Sequence, residues 1–474
     1  MSAGEQRVAQ GRADGADWII EQIQSYGSRP AIVHGDKVTT YADLVDALPS
    51  VGSVLDGLGI GAGARCALVG DFGMVTTALL LELILRRAII VPLTTASAKR
   101  RDVLFDVCAA EWVIDAGGED SVDAVTVGPL ESAASASASH QLFAEISSRG
   151  VPGIILFTSG STGEPKAVVH DFSLLLEKFR SPGRPLRTVS LLLFDHWGGL
   201  NTLLHTLTSG GLVACPETRN ADHICDLIER YRLELLPASP SFLNMLLMSG
   251  AHTRHDLSSL RLVTYGAEPM PGSTLRRLNR ELPDVEFRQT YGLIELGVLR
   301  AKSASSDSLL VRVGGDGYDV RVVDGMLEIK ARSSMLGYLN APAPFTEDGY
   351  FRTGDRVEVH GDFIRILGRD SELINVGGEK VFPAEVEEVM LDCPVVIDAV
   401  AYGEPHPLSG NVVCADVVRV SDGQEDAAAR TAIRRFCKER LESFKVPMKI
   451  RFVEGPLTGD RQKRMRIGRG EAAD

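Results

Sequence analysis

Residues 156–170 read LFTSGSTGEPKAVVH: an apolar run that opens into Thr, Ser and Gly and then meets one lysine, Lys166. Glycine lets backbone N–H groups approach a polyanion, and the hydroxyls of Thr158, Ser159, Ser161 and Thr162 add donors, so the composition points to phosphate. The spacing departs from the P-loop, G-x-x-x-x-G-K-[ST], because Gly163 is followed by Glu164 and Lys166 stands before Ala167. Taken alone, the stretch reads equally well as a solvated turn between a strand and a helix.

The surrounding chain has 474 residues, 44% of them hydrophobic and 24% charged, enough for about two or three domain-sized units with buried cores. A formal net charge of -13 with no basic stripe argues against a nucleic-acid partner. The seven cysteines lie far apart without a C-x-x-C pair, which indicates neither a disulfide framework nor a zinc site and suggests core thiols in a reducing compartment. The amino terminus, MSAGEQRVAQGRADGADW, is polar and lacks the apolar centre of a signal peptide, so a cytoplasmic location is expected. The most apolar window, Val75 to Leu93, is interrupted by Glu82, Arg86 and Arg87, and reads as a buried helix leading into a strand, with no membrane partner.

Helical and strand-like segments alternate through most of the chain: YADLVDALPSVGSVLDGLG (41–59) before ARCALVG (64–70), then TVSLLLF (188–194), GLVAC (211–215) before ADHICDLIERYR (221–232), and LRLVTYG (260–266) before TLRRLNREL (274–282). That rhythm predicts parallel strands with crossover helices. SAASASAS (132–139) is low in complexity and reads as an exposed loop. From Ser308 to Ile366 short strands with glycine turns predict a β-rich lobe, and after Arg369 a compact α+β unit follows. The expected fold is therefore α/β: a large N-terminal domain (1–368) of α/β subdomains plus the β-rich lobe, a hinge (369–372), and a small mobile α+β C-terminal domain (373–474).

Further motifs follow the glycine loop in series: LFDHWGG (193–199), TYGAEPM (264–270), QTYGLIE (289–295), GYFRTGD (349–355), GRDSELINVGGEKVFPAEVE (368–387) and PLTGDRQKRMR (456–466). In this order the chain, from about residue 30 to 466, resembles the adenylate-forming superfamily of AMP-binding enzymes. That superfamily contains acyl-CoA synthetases, adenylation domains of nonribosomal peptide synthetases and firefly-type luciferases. The resemblance implies a two-step ligase. An acid attacks the α-phosphate of ATP with Mg²⁺ to give an acyl adenylate and pyrophosphate, and a thiol of CoA or phosphopantetheine then displaces AMP.

Carried over residue by residue, the resemblance gives the loop Thr158, Ser159, Gly160, Ser161, Thr162, Gly163 and Lys166 to the departing phosphates. Gly266, Ala267 and Glu268 would lie along the purine, and Tyr291 would stack on adenine. Asp355 and Arg369 would hold the ribose, and Glu295 would bind Mg²⁺. Lys463 would stand between the attacking carboxylate and the α-phosphate, where a cation offsets the repulsion of two anions. The family pattern P-x-T-x-x-G-K-x-x-R is irregular here, with one extra residue before the lysine and Gln462 in place of glycine, and the neighbouring arginines also read as a basic surface run. A second departure is Ile294, where a threonine is usual. His196, with Asp195 and Trp197, would enter the acid pocket, His196 as a gate assigned to the catalytic set. Asp370 and Ser371 would form the hinge on which the small domain rotates. The implied substrate is a small or aromatic carboxylic acid, and the acceptor is CoA or a separate carrier protein. Alternatives are a non-thiol acceptor, an oxyanion such as nitrite, and a non-catalytic nucleotide-binding relative.

Overall fold

The computed structural model describes residues 16–97, 101–117, 121–130, 140–159, 165–420, 425–455, Leu457 and Arg464. SAASASAS and most of PLTGDRQKRMR, Lys463 included, lie outside the described residues, as do Gly160, Ser161, Thr162 and Gly163. The chain divides into two compact units. The first comprises Met1–Pro237, Gly292–Val298 and Ala331–Pro344, and the second Ala238–Tyr291, Leu299–Lys330 and Phe345–Asp474.

In the first unit, one sheet runs in the order Gly337–Tyr338, Pro165–Asp171, Gly153–Ser159, Ile89–Leu93, Arg65–Val69, Trp112–Asp115 and Thr126–Pro129. Its central strands are parallel. A parallel strand is covered on both faces and so reads as a continuous apolar run, and Ile89–Leu93 is buried throughout. The helix Met74–Leu85 beside it is likewise apolar almost all round, with nine buried residues. A second sheet sets Arg187–Val189 between Leu235–Ala238 and Leu212–Cys215, and continues through Pro30–His34 to Lys37–Thr40. The strand expected over 188–194 ends at Val189, and the residues after it form the turn into the helix Trp197–Thr208.

The glycine loop differs from its simplest reading. It connects two antiparallel strands, Gly153–Ser159 and Pro165–Asp171, with Thr158 opposite Lys166, and does not lead into a helix. The apolar residues on both sides of the loop explain this: ILF before it and AVV after it supply two buried strands.

In the second unit, Leu262–Tyr265 and Glu286–Gln289 form a parallel pair joined through the helix Gly272–Glu281. The β-rich lobe is an antiparallel sheet in the order Ala301–Ser303, Leu310–Val313, Phe363–Arg369, Phe351–His360, Met326–Ala331 and Tyr318–Val323. Beyond it, Val396–His406 pairs with Gly410–Arg419, whose other edge takes Ile374–Val376 and Lys449–Phe452. The helices Pro383–Leu391 and Asp426–Lys438 bury Val386, Met390, Ile433 and Cys437 in the core of this last sheet.

All seven cysteines are free and buried, as core thiols should be. Burial pushes the Cys66, Cys108 and Cys437 thiols up to about 12, which keeps them protonated. Among the described residues no helix is long and apolar enough to cross a membrane, and no cluster of three metal-ligating side chains occurs.

Candidate active site

The first unit holds the loop strands and the segment after Tyr291. Glu295 follows the short strand Gly292–Leu293, and its Oε1 accepts a hydrogen bond from the Tyr338 hydroxyl at 2.8 Å. Lys166 Nζ lies 5.5 Å from the centre of the same tyrosine ring, within cation–π range. Tyr338 therefore ties a carboxylate to the side of the hairpin that carries the glycine loop. Asn340 holds the base of that hairpin, accepting from the Ala167 N–H at 3.0 Å and donating to the Pro165 carbonyl at 2.8 Å. Ile294, where a threonine hydroxyl is usual, packs its side chain against the apolar core, and its carbonyl bonds His170 Nε2 at 2.7 Å.

The DHWGG turn is shaped by its glycines. A Cβ on Gly199 would lie 2.0 Å from the Leu193 carbonyl oxygen, so no other residue fits the turn. His196 caps the helix Trp197–Thr208, its Nδ1 accepting from the Gly198 N–H at 3.1 Å. Asp195 is buried and accepts from Ser97 Oγ at 2.7 Å. Trp197 is 2% exposed and meets Phe172 edge to face at 6.0 Å.

The second unit brings three predicted residues together. The Tyr291 hydroxyl donates to Asp355 Oδ2 at 2.6 Å, and Arg369 Nε lies 3.1 Å from Asp355 Oδ1. Asp355 and Arg369 are paired across adjacent strands, and this pairing, between strands that sequence alone only suggested, sets their register. Burial, reinforced by the Asp355 charge, pushes the Tyr291 phenol well above its ordinary value, so it remains a donor. A carboxylate oxygen can accept more than one hydrogen bond.

Gly266 is needed for a close approach: a Cβ there would lie 2.8 Å from both the carbonyl oxygen and Oγ1 of Thr290. Ala267 adopts φ +70, a backbone conformation costly for a residue with a side chain. Glu268 is anchored through its side chain, accepting from Ser241 Oγ at 2.6 Å and from the Arg464 backbone N–H at 2.5 Å. Arg464 reaches Glu387 Oε2 at 2.7 Å, the Ala399 carbonyl at 2.9 Å and Asp398 Oδ1 at 3.2 Å. At the expected hinge, Asp370 and Ser371 sit in a short 3₁₀ turn, with Asp370 accepting from Arg356 Nε at 2.7 Å.

Sequence reasoning missed Tyr338 and treated Arg464 as part of a surface charge run. LGYLN carries no local mark of a partner for Glu295, whereas Arg464 belongs to a run whose alternate positions could have been tested for burial.

The family model described as AMP-binding enzyme matches residues 19–350, and the model of the AMP-binding enzyme C-terminal domain matches residues 385–461. The chain is similar to an indoleacetate–CoA ligase of Aromatoleum aromaticum, 26% identical with 93% of this chain and 94% of the relative covered. It is also similar to a 2-succinylbenzoate–CoA ligase of Bacillus cereus, at 27% identity over 92% and 94%. Among solved structures, the anthranilate CoA ligase AuaEII in complex with anthranoyl-AMP shares the fold, with a TM-score of 0.75 at 19% identity, covering 92% of this chain and 93% of that one. The amide bond synthetase McbA from Marinactinospora thermotolerans does so with a TM-score of 0.72 at 21% identity, covering 92% and 95%.

Proposed function

Since the chain belongs to the AMP-binding enzyme family, we propose that it is an ATP-dependent ligase that adenylates a small or aromatic carboxylic acid and passes the acyl group to CoA. The observation that carries this reading is the buried Asp355 carboxylate, fixed by Tyr291 on one oxygen and by the exposed Arg369 on the other, a group suited to accept two ribose hydroxyls. The names of the relatives support the substrate class: two are ligases of ring-bearing acids and CoA.

The substrate carboxylate attacks the α-phosphorus of ATP in line with the departing pyrophosphate. The loop after Thr158 and the ammonium of Lys166 receive the charge of that leaving group. Glu295, held by Tyr338, would offer a carboxylate to Mg²⁺, a hard cation that favours oxygen ligands. When bound there, the metal would supply charge neutralisation at the phosphates. Arg464 is committed to Glu387 and Asp398, so the cation for the reacting carboxylate is assigned to its neighbour Lys463. In the second step the thiolate attacks the acyl carbonyl and AMP leaves, with the segment after Asp370–Ser371 turning to replace the lysine. A separate carrier protein is the alternative bearer of the thiol.

Acid-dependent pyrophosphate release from ATP across a panel of aromatic and small aliphatic acids, nitrite included, tests the first step. Release with at least one acid is expected, followed by thioester formation with free CoA. A panel that elicits no release overturns the ligase reading, and release without a CoA product moves the acceptor to a carrier protein or an amine.

A further inference from the structure

Glu268 follows Gly266 and Ala267 in the chain, and its carboxylate is held from both sides. Oε2 accepts from Ser241 Oγ at 2.6 Å, and Oε1 accepts from the Arg464 backbone N–H at 2.5 Å. The Arg464 guanidinium, 6% exposed, reaches Glu387 Oε2 at 2.7 Å and Asp398 Oδ1 at 3.2 Å. Asn244 Nδ2 donates to that same Asp398 oxygen at 3.3 Å. Ser241 and Asn244 stand three residues apart on the helix Pro240–Ser249, so one face of this helix meets both Glu268 and Asp398. The contacts close a ring that runs from the helix through Glu268, Arg464 and Asp398 back to the helix.

Arg464 joins the two halves of this ring. Three carboxylates, Glu268, Glu387 and Asp398, gather on one arginine. Burial raises the Asp398 pKa, Arg464 opposes the rise, and the charges of Glu387 and Glu268 add to it, so the acids come together only with the arginine in place. The amide that Glu268 holds is the peptide bond joining Arg464 to Lys463. A peptide unit is planar, so an acceptor on its N–H orients the whole unit, and the seated guanidinium fixes the residue that follows. An enclosed arginine therefore stands directly beside the lysine assigned to the reacting carboxylate.

We propose that Glu268 and Arg464 are positioning residues for adenylation, which together set the chain so that the Lys463 ammonium reaches the reacting carboxylate and the α-phosphate. The inference rests on the ligase reading. Arg464 supplies the anchor, Glu268 orients the peptide unit, and neither touches substrate. Glu268 acts through Lys463 and not on the purine.

The test is a double-mutant cycle read by acid-dependent pyrophosphate release. Glu268→Ala should lower kcat about ten- to hundredfold, the usual result of displacing a reacting group by about 1 Å, and leave the KM for ATP within about twofold. Glu268→Gln can still accept the N–H and should keep most of the rate. In the Lys463→Ala background the Glu268→Ala change should have no further effect, because the contact acts only through the lysine. Arg464→Lys, whose single ammonium cannot hold Glu387 and Asp398 as a planar fork does, should show the same split of kcat from KM at smaller size. It decides the matter if Glu268→Ala does not fold. Losses that add across the cycle, or wild-type kinetics in the folded variants, overturn the positioning role. A raised KM for ATP at unchanged kcat overturns it as well and returns Glu268 to the purine. Absence of release from the wild type with every acid defeats the ligase reading and this role with it.

Discussion

At the scale of single residues, the site is built by pairs that give one another geometry. Asp355 takes the Tyr291 hydroxyl on one oxygen and Arg369 on the other, so its carboxylate plane cannot turn. A ribose meeting a fixed carboxylate loses less entropy on binding than one that must order it. Tyr291→Phe keeps the ring and removes the donor. The KM for ATP in pyrophosphate release should rise about tenfold, the usual effect of one hydrogen bond to a charged group. An unchanged KM would remove Asp355 from the ribose site. The motifs singled out these three residues, each from a short string with its own spacing, and the fold sets them side by side. Tyr338 was not legible, since its partner stands 43 residues away and only the fold brings the two together.

At the scale of elements, the strand Pro165–Asp171 serves both the loop and the core. Lys166 begins it at the phosphate end, and His170, 1% exposed, ends it with Nε2 on the Ile294 carbonyl. Burial in apolar surroundings pulls the His170 pKa down to about 4, despite the carbonyl that favours its charged form. The unfolded chain, with histidine near 6.5, therefore binds more protons between pH 6.5 and 4, and stability must rise with pH in that window. The contribution is complete above about 6.5 and amounts to about 3 kcal/mol at most. His170→Gln keeps a donor and cannot titrate. Melting temperature against pH should fall more steeply for the wild type than for this variant from pH 6.5 to 4, and parallel curves would show that another group carries the acid sensitivity. The sequence displayed the α/β alternation well because buried parallel strands are apolar throughout. It concealed the hairpin around the glycine loop, whose connection has the composition of a strand-to-helix turn while the pairing depends on residues beyond it.

At the scale of the molecule, Lys166 and Glu295 belong to the first compact unit, and Tyr291, Asp355 and Arg369 to the second. Arg464 is held by contacts from both its side chain and its backbone. Its guanidinium meets buried Glu387 and Asp398 and its N–H meets Glu268, so the residue beside Lys463 is pinned to the segment assigned to the purine. Desolvation raises the Asp398 pKa, and the Arg464 charge, followed by the Ala399 N–H, opposes that rise. If Lys463 acts only in adenylation, the two half-reactions must respond differently to its loss. Lys463→Ala should slow acid-dependent pyrophosphate release by about a hundred- to a thousandfold, the size of a lost electrostatic contact in a transition state. Thioester formation from CoA and a chemically prepared acyl adenylate should stay within about threefold of the wild type, since the lysine then has no transition state to stabilise. Equal loss in both half-reactions would mean that the lysine holds the fold or the adenylate, and no loss in either would transfer the role to another cation of the 461–466 run.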